Sequence, residues 1–353
     1  MKIPPDFFKG KKILITGHTG FKGSWLAFTL KFFGGQIYGF SLSYPPSHSH
    51  SFFALNVNSF IQNIESQIGD VRSTDFETLI RDVDPDFIFH LAAQAIVYKS
   101  YQEPKNTITT NTLGVLNLLE ILRVSGSKAT VVIVTSDKCY KNFDKEVSYV
   151  ETDELGGDDP YSASKAAAEL IFKSYIQSFP TLCASGGIAT ARAGNVFGGG
   201  DWSENRLIPD CVREILSGNQ IKLRMPNATR PWSFVNDIIS GYIMLAVALS
   251  EKPHAFCGSW NFASGENLTV MQIAKFFTTE MGGAGVSLAE ILEKPHESTL
   301  LQINPNKANL ELGWRCRYSI QESLSIAASW YKLQSEGGDI LEFSNKLVRD
   351  FYK

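Results

Sequence analysis

Lys11-Lys12-Ile13-Leu14-Ile15-Thr16-Gly17-His18-Thr19-Gly20-Phe21-Lys22-Gly23 decides the fold. Its first half is a short apolar run of the length of a buried strand. Its second half is Gly-x-x-Gly-x-x-Gly. Working outward, residues 24–33 read as a helix closed by Gly34-Gly35, and 36–41 read as the next strand. Three glycines between a strand and a helix, inside a βαβ unit, signal a dinucleotide site. They let the backbone turn tightly and approach a pyrophosphate, and the helix N-terminus favours its negative charge. One usual companion is missing. The second strand ends Phe40-Ser41-Leu42-Ser43-Tyr44-Pro45, with no acid for a ribose diol and no arginine for a 2′-phosphate. Ser41 and Ser43 can bond a hydroxyl, so the expected cofactor is NAD.

Further along, strand and helix patterns alternate. Residues 63–69, 86–91 and 130–134 read as strands, and 73–82 and 106–125 as helices. Nothing in this run reads as an antiparallel hairpin. The expectation is an α/β fold: a doubly wound parallel sheet with a smaller C-terminal α/β lobe. The composition shifts at Gly194, which places the dinucleotide domain at 1–193. Residues 194–353 then form mainly the second lobe, with part of 234–250 packing back on the first. His90, at a strand end, reads as a packed core residue.

Hydrophobic residues make up 44% of 353, charged residues 20%, and the net charge is −3. That balance points away from nucleic acid and from a membrane surface. No apolar run is long enough to span a bilayer, and the first residues do not read as a signal peptide. Five scattered cysteines without Cys-x-x-Cys suggest free thiols and a cytoplasmic setting. Six histidines lack metal-ligand spacing, so no metal is expected.

The chemistry centres on Asp159-Pro160-Tyr161-Ser162-Ala163-Ser164-Lys165. Pro160 suits the first turn of a helix, which puts Tyr161 and Lys165 on one face. An ammonium beside a phenol favours its ionised form, so Tyr161 reads as an acid/base held at a lowered pKa. Upstream, Thr135-Ser136-Asp137-Lys138 closes a buried strand, at the sheet edge where ligands of such folds bind. Asp137 and Lys138 form an acid/base pair, and burial pushes both kinds of group toward neutrality.

These stretches, with Phe89-His90-Leu91-Ala92-Ala93-Gln94, Ala191-Arg192-Ala193-Gly194-Asn195, Gly199-Gly200-Asp201-Trp202 and Arg230-Pro231-Trp232, resemble the extended short-chain dehydrogenase/reductase family. Within it they resemble the nucleotide-sugar 4,6-dehydratases. The Ser-Asp-Lys triplet and the Gly-Gly-Asp-Trp stretch point to members acting on CDP-glucose. The resemblance implies a Rossmann-type fold, bound NAD, a hydro-lyase reaction feeding deoxysugar synthesis, and a homodimer or homotetramer. It implies catalytic roles for Ser136, Asp137, Lys138, Tyr161 and Lys165. Which of Asp137 and Lys138 is acid and which is base stays open. Around the cofactor it implies Gly17, His18, Thr19, Gly20, Phe21, Lys22, Gly23, Asp70, Val71, Leu91, Ala92, Ala93, Gln94, Asn111 and Thr135, together with Tyr161 and Lys165. Arg192, Asn195, Arg213, Arg224 and Arg230 are candidates for the nucleotide half, with Arg192, Asn195 and Arg230 preferred, because a guanidinium fork matches phosphate oxygens. Two readings compete. A 4-epimerase shares Tyr161 and Lys165 but needs no Asp137-Lys138 pair. A non-catalytic NAD-binding regulator typically loses the tyrosine.

Overall fold

The computed structural model describes residues 3–46, 49–55, 64–288 and 300–353. Its strands are β1 (Lys12–Thr16), β2 (Gln36–Ser41), β3 (Ile64–Ile68), β4 (Phe87–His90), β5 (Thr130–Val134), β6 (Ser148–Tyr149), β7 (Ile188–Ala193), β8 (Asn195–Phe197), β9 (Ile221–Leu223), β10 (Thr229–Phe234), β11 (Gly258–Phe262), β12 (Asn267–Thr269), β13 (Val286–Leu288) and β14 (Gln302–Ile303). Seven pair in parallel in the order β11-β7-β5-β4-β1-β2-β3. The chain enters at β1, winds out to β3, then winds the other way from β4. That reversal leaves a crevice at the carboxyl ends of β1 and β4. Residue 63 of the expected third strand lies outside the described residues.

The central strands are covered on both faces, so they read as continuous apolar runs. Successive side chains still alternate. Ile13, Ile15, Phe89, Val132 and Ala191 belong to one core, while Leu14, Ile88, Val131 and Ile133 belong to the other. The helix Val235–Glu251 is buried almost all round and packs on β5 and β7 beside the helix Phe21–Phe32. A helix enclosed on every side needs no polar face, which is why its sequence is apolar throughout. Helices Pro104–Ser125 and Pro160–Ser178 lie together on the second core. The sheet thus takes its last strand from residues 258–262. Beyond its carboxyl edge sit the three-stranded β12-β10-β8 sheet and the β9-β13 pair.

One expectation about cysteine fails. Cys183 and Cys257 are joined as a disulfide, while Cys139, Cys211 and Cys316 are free. Cys257 immediately precedes β11, and Cys183 lies in the short helix Thr181–Ser185 just before β7, the neighbouring strand whose register draws those segments together. Among the described residues no helix is long and apolar enough to cross a membrane.

Candidate active site

The glycine loop closes on the ends of two strands. Gly17 has φ +74°, donates its N–H to the Phe40 carbonyl at 2.7 Å, and leaves no room for a Cβ, which would lie 2.9 Å from the Ala92 nitrogen. A Cβ on Gly23 would lie 2.1 Å from the Gly17 oxygen. The helix Phe21–Phe32 has no side-chain cap and no acid in its first turn. Its leading amides have no carbonyl partner within the helix, and its positive end is unopposed by a carboxylate.

His18 is buried, and burial pushes its imidazole down to about 4. The neutral ring bonds the Ser41 hydroxyl through Nδ1 at 2.9 Å and the Ser66 hydroxyl through Nε2 at 2.7 Å. Ser41 also accepts the Thr19 N–H at 3.3 Å. Ser41, expected at a ribose hydroxyl, is therefore bound to the protein's own loop. His90 packs as expected. The Thr16 hydroxyl accepts the N–H groups of Leu91 and Ala92, each at 3.1 Å, so its proton goes to His90 Nδ1 at 3.0 Å.

The helix carrying Tyr161 starts where the sequence says. Pro160 occupies its first turn, and the Asp159 carboxylate accepts the N–H groups of Tyr161 and Ser162, each at 2.9 Å. Asn111, from the helix Pro104–Ser125, donates to Ser164 at 2.8 Å and accepts the Gln94 N–H at 2.8 Å, tying this helix to the end of β4. At the end of β5, Ser136 donates to Asp137 at 3.0 Å and accepts the Lys138 N–H at 3.2 Å. Ser136 and Tyr161 both line the cavity.

Burial shifts these groups toward their neutral forms. Asp137 is 4% exposed, and burial raises its carboxyl above the usual range despite the opposing charges of Lys138 and Arg230 and a bond from Ser136. Tyr161 is pushed up to about 12 by burial, partly opposed by Ser136 and by the Arg206 charge. The Lys165 ammonium lies 6.0 Å from the Tyr161 ring centre and is itself pushed down to about 8 by burial. The expected lowering of the Tyr161 pKa by Lys165 is not seen: loss of water around the phenol raises it. Lys22 is pushed down to about 7, first by burial and then by Arg206 and Lys165.

These groups face a cavity of about 490 Å³ beyond the carboxyl ends of β4, β5 and β7. Lys22, Leu91, Ala93, Thr135, Ser136, Asp137, Lys138, Tyr161 and Lys165 line one end, with Asn195, Arg206 and Arg230 facing them. The geometry fits acid/base chemistry on a ligand held across the cavity from the glycine loop.

A family model described as GDP-mannose 4,6 dehydratase matches residues 14–326. The chain belongs to that family. It is 38% identical over 358 aligned positions to the CDP-glucose 4,6-dehydratase of Salmonella typhimurium, covering 99% of this chain and 98% of that one. It is 24% identical to a UDP-glucose 4-epimerase of Pisum sativum, covering 91% and 96%. Among solved structures it resembles a dTDP-glucose 4,6-dehydratase from Bacillus anthracis in complex with NAD, with TM-score 0.76, 23% identity, and 93% and 99% of the two chains covered. It also resembles a UDP-glucose 4-epimerase from Thermus thermophilus in complex with NAD, with TM-score 0.78, 23% identity, and 91% and 99% covered.

Within this dehydratase-family fold some expected residues face inward, to protein. Arg192 is the clearest correction. It is 2% exposed and paired at 2.7 Å with Glu169, itself 1% exposed, and it donates to the Tyr140 hydroxyl at 2.7 Å. It lies at a strand end, but its side chain points into the core, so it is absent from the cavity wall. Asn111 is likewise occupied by Gln94 and Ser164, and the Gln94 amide bonds Ile96 and Thr107. Asp70 pairs with Arg72 at 2.6 Å, and Val71 is buried. Arg213 donates to the carbonyls of Trp202 and Ser203 and pairs with Asp210, whereas Arg224 does line the cavity. The sequence reading missed Arg206, paired at 3.1 Å with the buried Asp201, and also Tyr98, Tyr101 and Glu214 in the wall. An arginine directly before Leu207-Ile208-Pro209, at the start of a helix, was the available signal.

Proposed function

We propose that the chain converts CDP-glucose to CDP-4-dehydro-6-deoxyglucose and water with bound NAD. The observation that carries this reading is the turn Ser136-Asp137-Lys138, with Ser136 and Asp137 buried, in the wall of the same cavity as Tyr161 and Lys165. NAD, when bound, supplies the hydride acceptor and returns the hydride, so it is not consumed. The loop Gly17–Gly23 and the uncapped helix N-terminus suit its pyrophosphate, and Leu91, Ala93 and Thr135 give it a flat, small-residue wall.

The protein's own residues move protons. Tyr161, once ionised, takes the proton of the sugar 4-hydroxyl, held by Ser136, and the Lys165 charge favours the phenolate that this step consumes. A ketone at C4 makes the C5 hydrogen acidic. Lys138 takes that proton, and Asp137, whose carboxyl burial raises above its usual range, gives its own to the departing 6-hydroxyl oxygen. The C5–H and C6–O bonds break, and water leaves. The raised Asp137 carboxyl supports the acid assignment over the reverse one. It also favours a dehydratase over a 4-epimerase, which has no use for a buried proton donor there. Asn195 and Arg230 face the phosphates from β8 and β10. Exposed Ile108, Leu113 and Leu170 on the packed helices Pro104–Ser125 and Pro160–Ser178 support a homo-oligomer built on that face.

Incubation with CDP-, dTDP- and UDP-glucose and GDP-mannose tests the reading. The expected product, from CDP-glucose, is lighter by one water and absorbs in alkali as a 4-keto sugar. Release of an isomer of unchanged mass would replace the dehydratase reading with the epimerase one.

A further inference from the structure

Away from the reacting end, the cavity runs between the helix Leu207–Leu216 and β9. Asp210 and Glu214 line it from the helix, and Lys222 and Arg224 from the strand side. The two acids are four residues apart, on one helix face. Asp210 is occupied by Arg213. Glu214 is half-buried, and among the described residues its carboxylate has neither an ion pair nor a hydrogen-bond donor.

A carboxylate in the wall of a cavity for a diphosphate needs a donor from the ligand, because the phosphates repel it. Position says which part of the ligand that is. Arg206, at the head of the same helix, lines the cavity together with Tyr161 and Lys22. Eight residues at 1.5 Å each place Glu214 about 12 Å further along the axis. A sugar nucleotide with its hexose at Tyr161 has its nucleoside at that depth. The nucleoside offers ribose hydroxyls and, on cytosine alone among the pyrimidines, an exocyclic amine. Uracil and thymine carry a carbonyl oxygen at the same ring position.

We propose that Glu214 reads the base: its carboxylate accepts a hydrogen bond from the 4-amino group of cytosine. This rests on the CDP-sugar reading above. Carboxylate with cytosine amine is an established edge pairing, and the same carboxylate repels the carbonyl of uracil or thymine. One residue therefore both attracts the right base and rejects the wrong ones.

The test compares wild type, Glu214→Gln, Glu214→Ser and Asp210→Asn. Each is assayed for kcat/KM with CDP-glucose and UDP-glucose, and titrated calorimetrically with CDP and with UDP. A hydrogen bond to a charged group is worth about 10- to 150-fold. The CDP-over-UDP ratio should fall by about that factor in both Glu214 variants, and furthest in Glu214→Gln, whose amide can donate to uracil. Asp210→Asn should keep the ratio. If both nucleotides weaken together in the Glu214 variants, the carboxylate holds the ribose and the inference is overturned. An unchanged ratio overturns it too. The substrate reading fails separately, if wild type releases no dehydrated product from CDP-glucose. A CDP preference in titration that Glu214→Gln abolishes would then still support base reading by Glu214.

Discussion

Arg192→Met should cost stability and leave substrate affinity alone. The guanidinium is enclosed by Glu169 at 2.7 Å, the Tyr140 hydroxyl at 2.7 Å and the Glu151 carbonyl at 3.2 Å. Burial works against the Glu169 charge, yet the Arg192 guanidinium outweighs it and holds that carboxyl below its usual range. Methionine fills similar length but strands the carboxylate. Three neutral donors remain to it: Thr135 at 2.5 Å, Thr190 at 3.0 Å and Ser259 at 3.1 Å. They soften the loss without replacing the charge. Removing one partner of a buried pair costs about 3–5 kcal/mol. At roughly 2 °C per kcal/mol for a chain of this size, the melting midpoint should fall by roughly 6–10 °C. Adding Glu169→Gln to Arg192→Met should recover part of that fall, because the second change removes the uncompensated charge. Calorimetry or a denaturant titration measures the stability, and initial rates with CDP-glucose measure the affinity. KM should stay within about twofold for Arg192→Met and rise about tenfold or more for Arg230→Met, whose side chain does face the cavity. An Arg192→Met protein that melts normally but shows a raised KM would refute the structural role and restore Arg192 to the substrate.

Three further outcomes are expected. Tyr161→Phe should lower the rate of product release about a hundredfold to ten-thousandfold with an unchanged melt, and near-wild-type turnover would remove the phenol from the mechanism. Lys138→Met should stop release of the dehydrated sugar while calorimetric binding of CDP stays normal; a normal release rate would leave Lys138 as only a neighbour of Asp137. Asp237 titrates in the core, where burial pushes its carboxyl up to about 7 against the Arg317 N–H at 2.7 Å. The folded chain then holds a proton that the unfolded chain has lost above about 4. Stability should therefore fall as pH rises from about 4 to about 7. Asp237→Asn keeps the acceptor for Arg317 and should gain on wild type across that window. A stability difference that does not move with pH would contradict it.

What could be read in advance followed the range of the interactions. The Tyr161 helix was legible because its signals are local: a proline in the first turn and a cap one residue earlier. The sheet was legible because each buried strand is a short apolar run between helix patterns. The Tyr161 ionisation was misread because spacing gives the direction of a pair interaction but not the burial that opposes it. Arg192 was misread for a related reason. An arginine at a strand end can face the crevice or the core, and its own neighbours do not say which. Glu169 does say. It follows Lys165 by one helical turn, in the run Lys165-Ala166-Ala167-Ala168-Glu169, where small residues mark a closely packed face. A carboxylate on that face needs a cation to stay ionised. Lys165 is one charge, but its end is directed to the cavity. The neighbouring strand β7 carries a single cation, Arg192, among residues that are all buried. A lone acid on a buried helix face, matched to a lone base on an adjacent buried strand, identifies a structural pair before any coordinates are known.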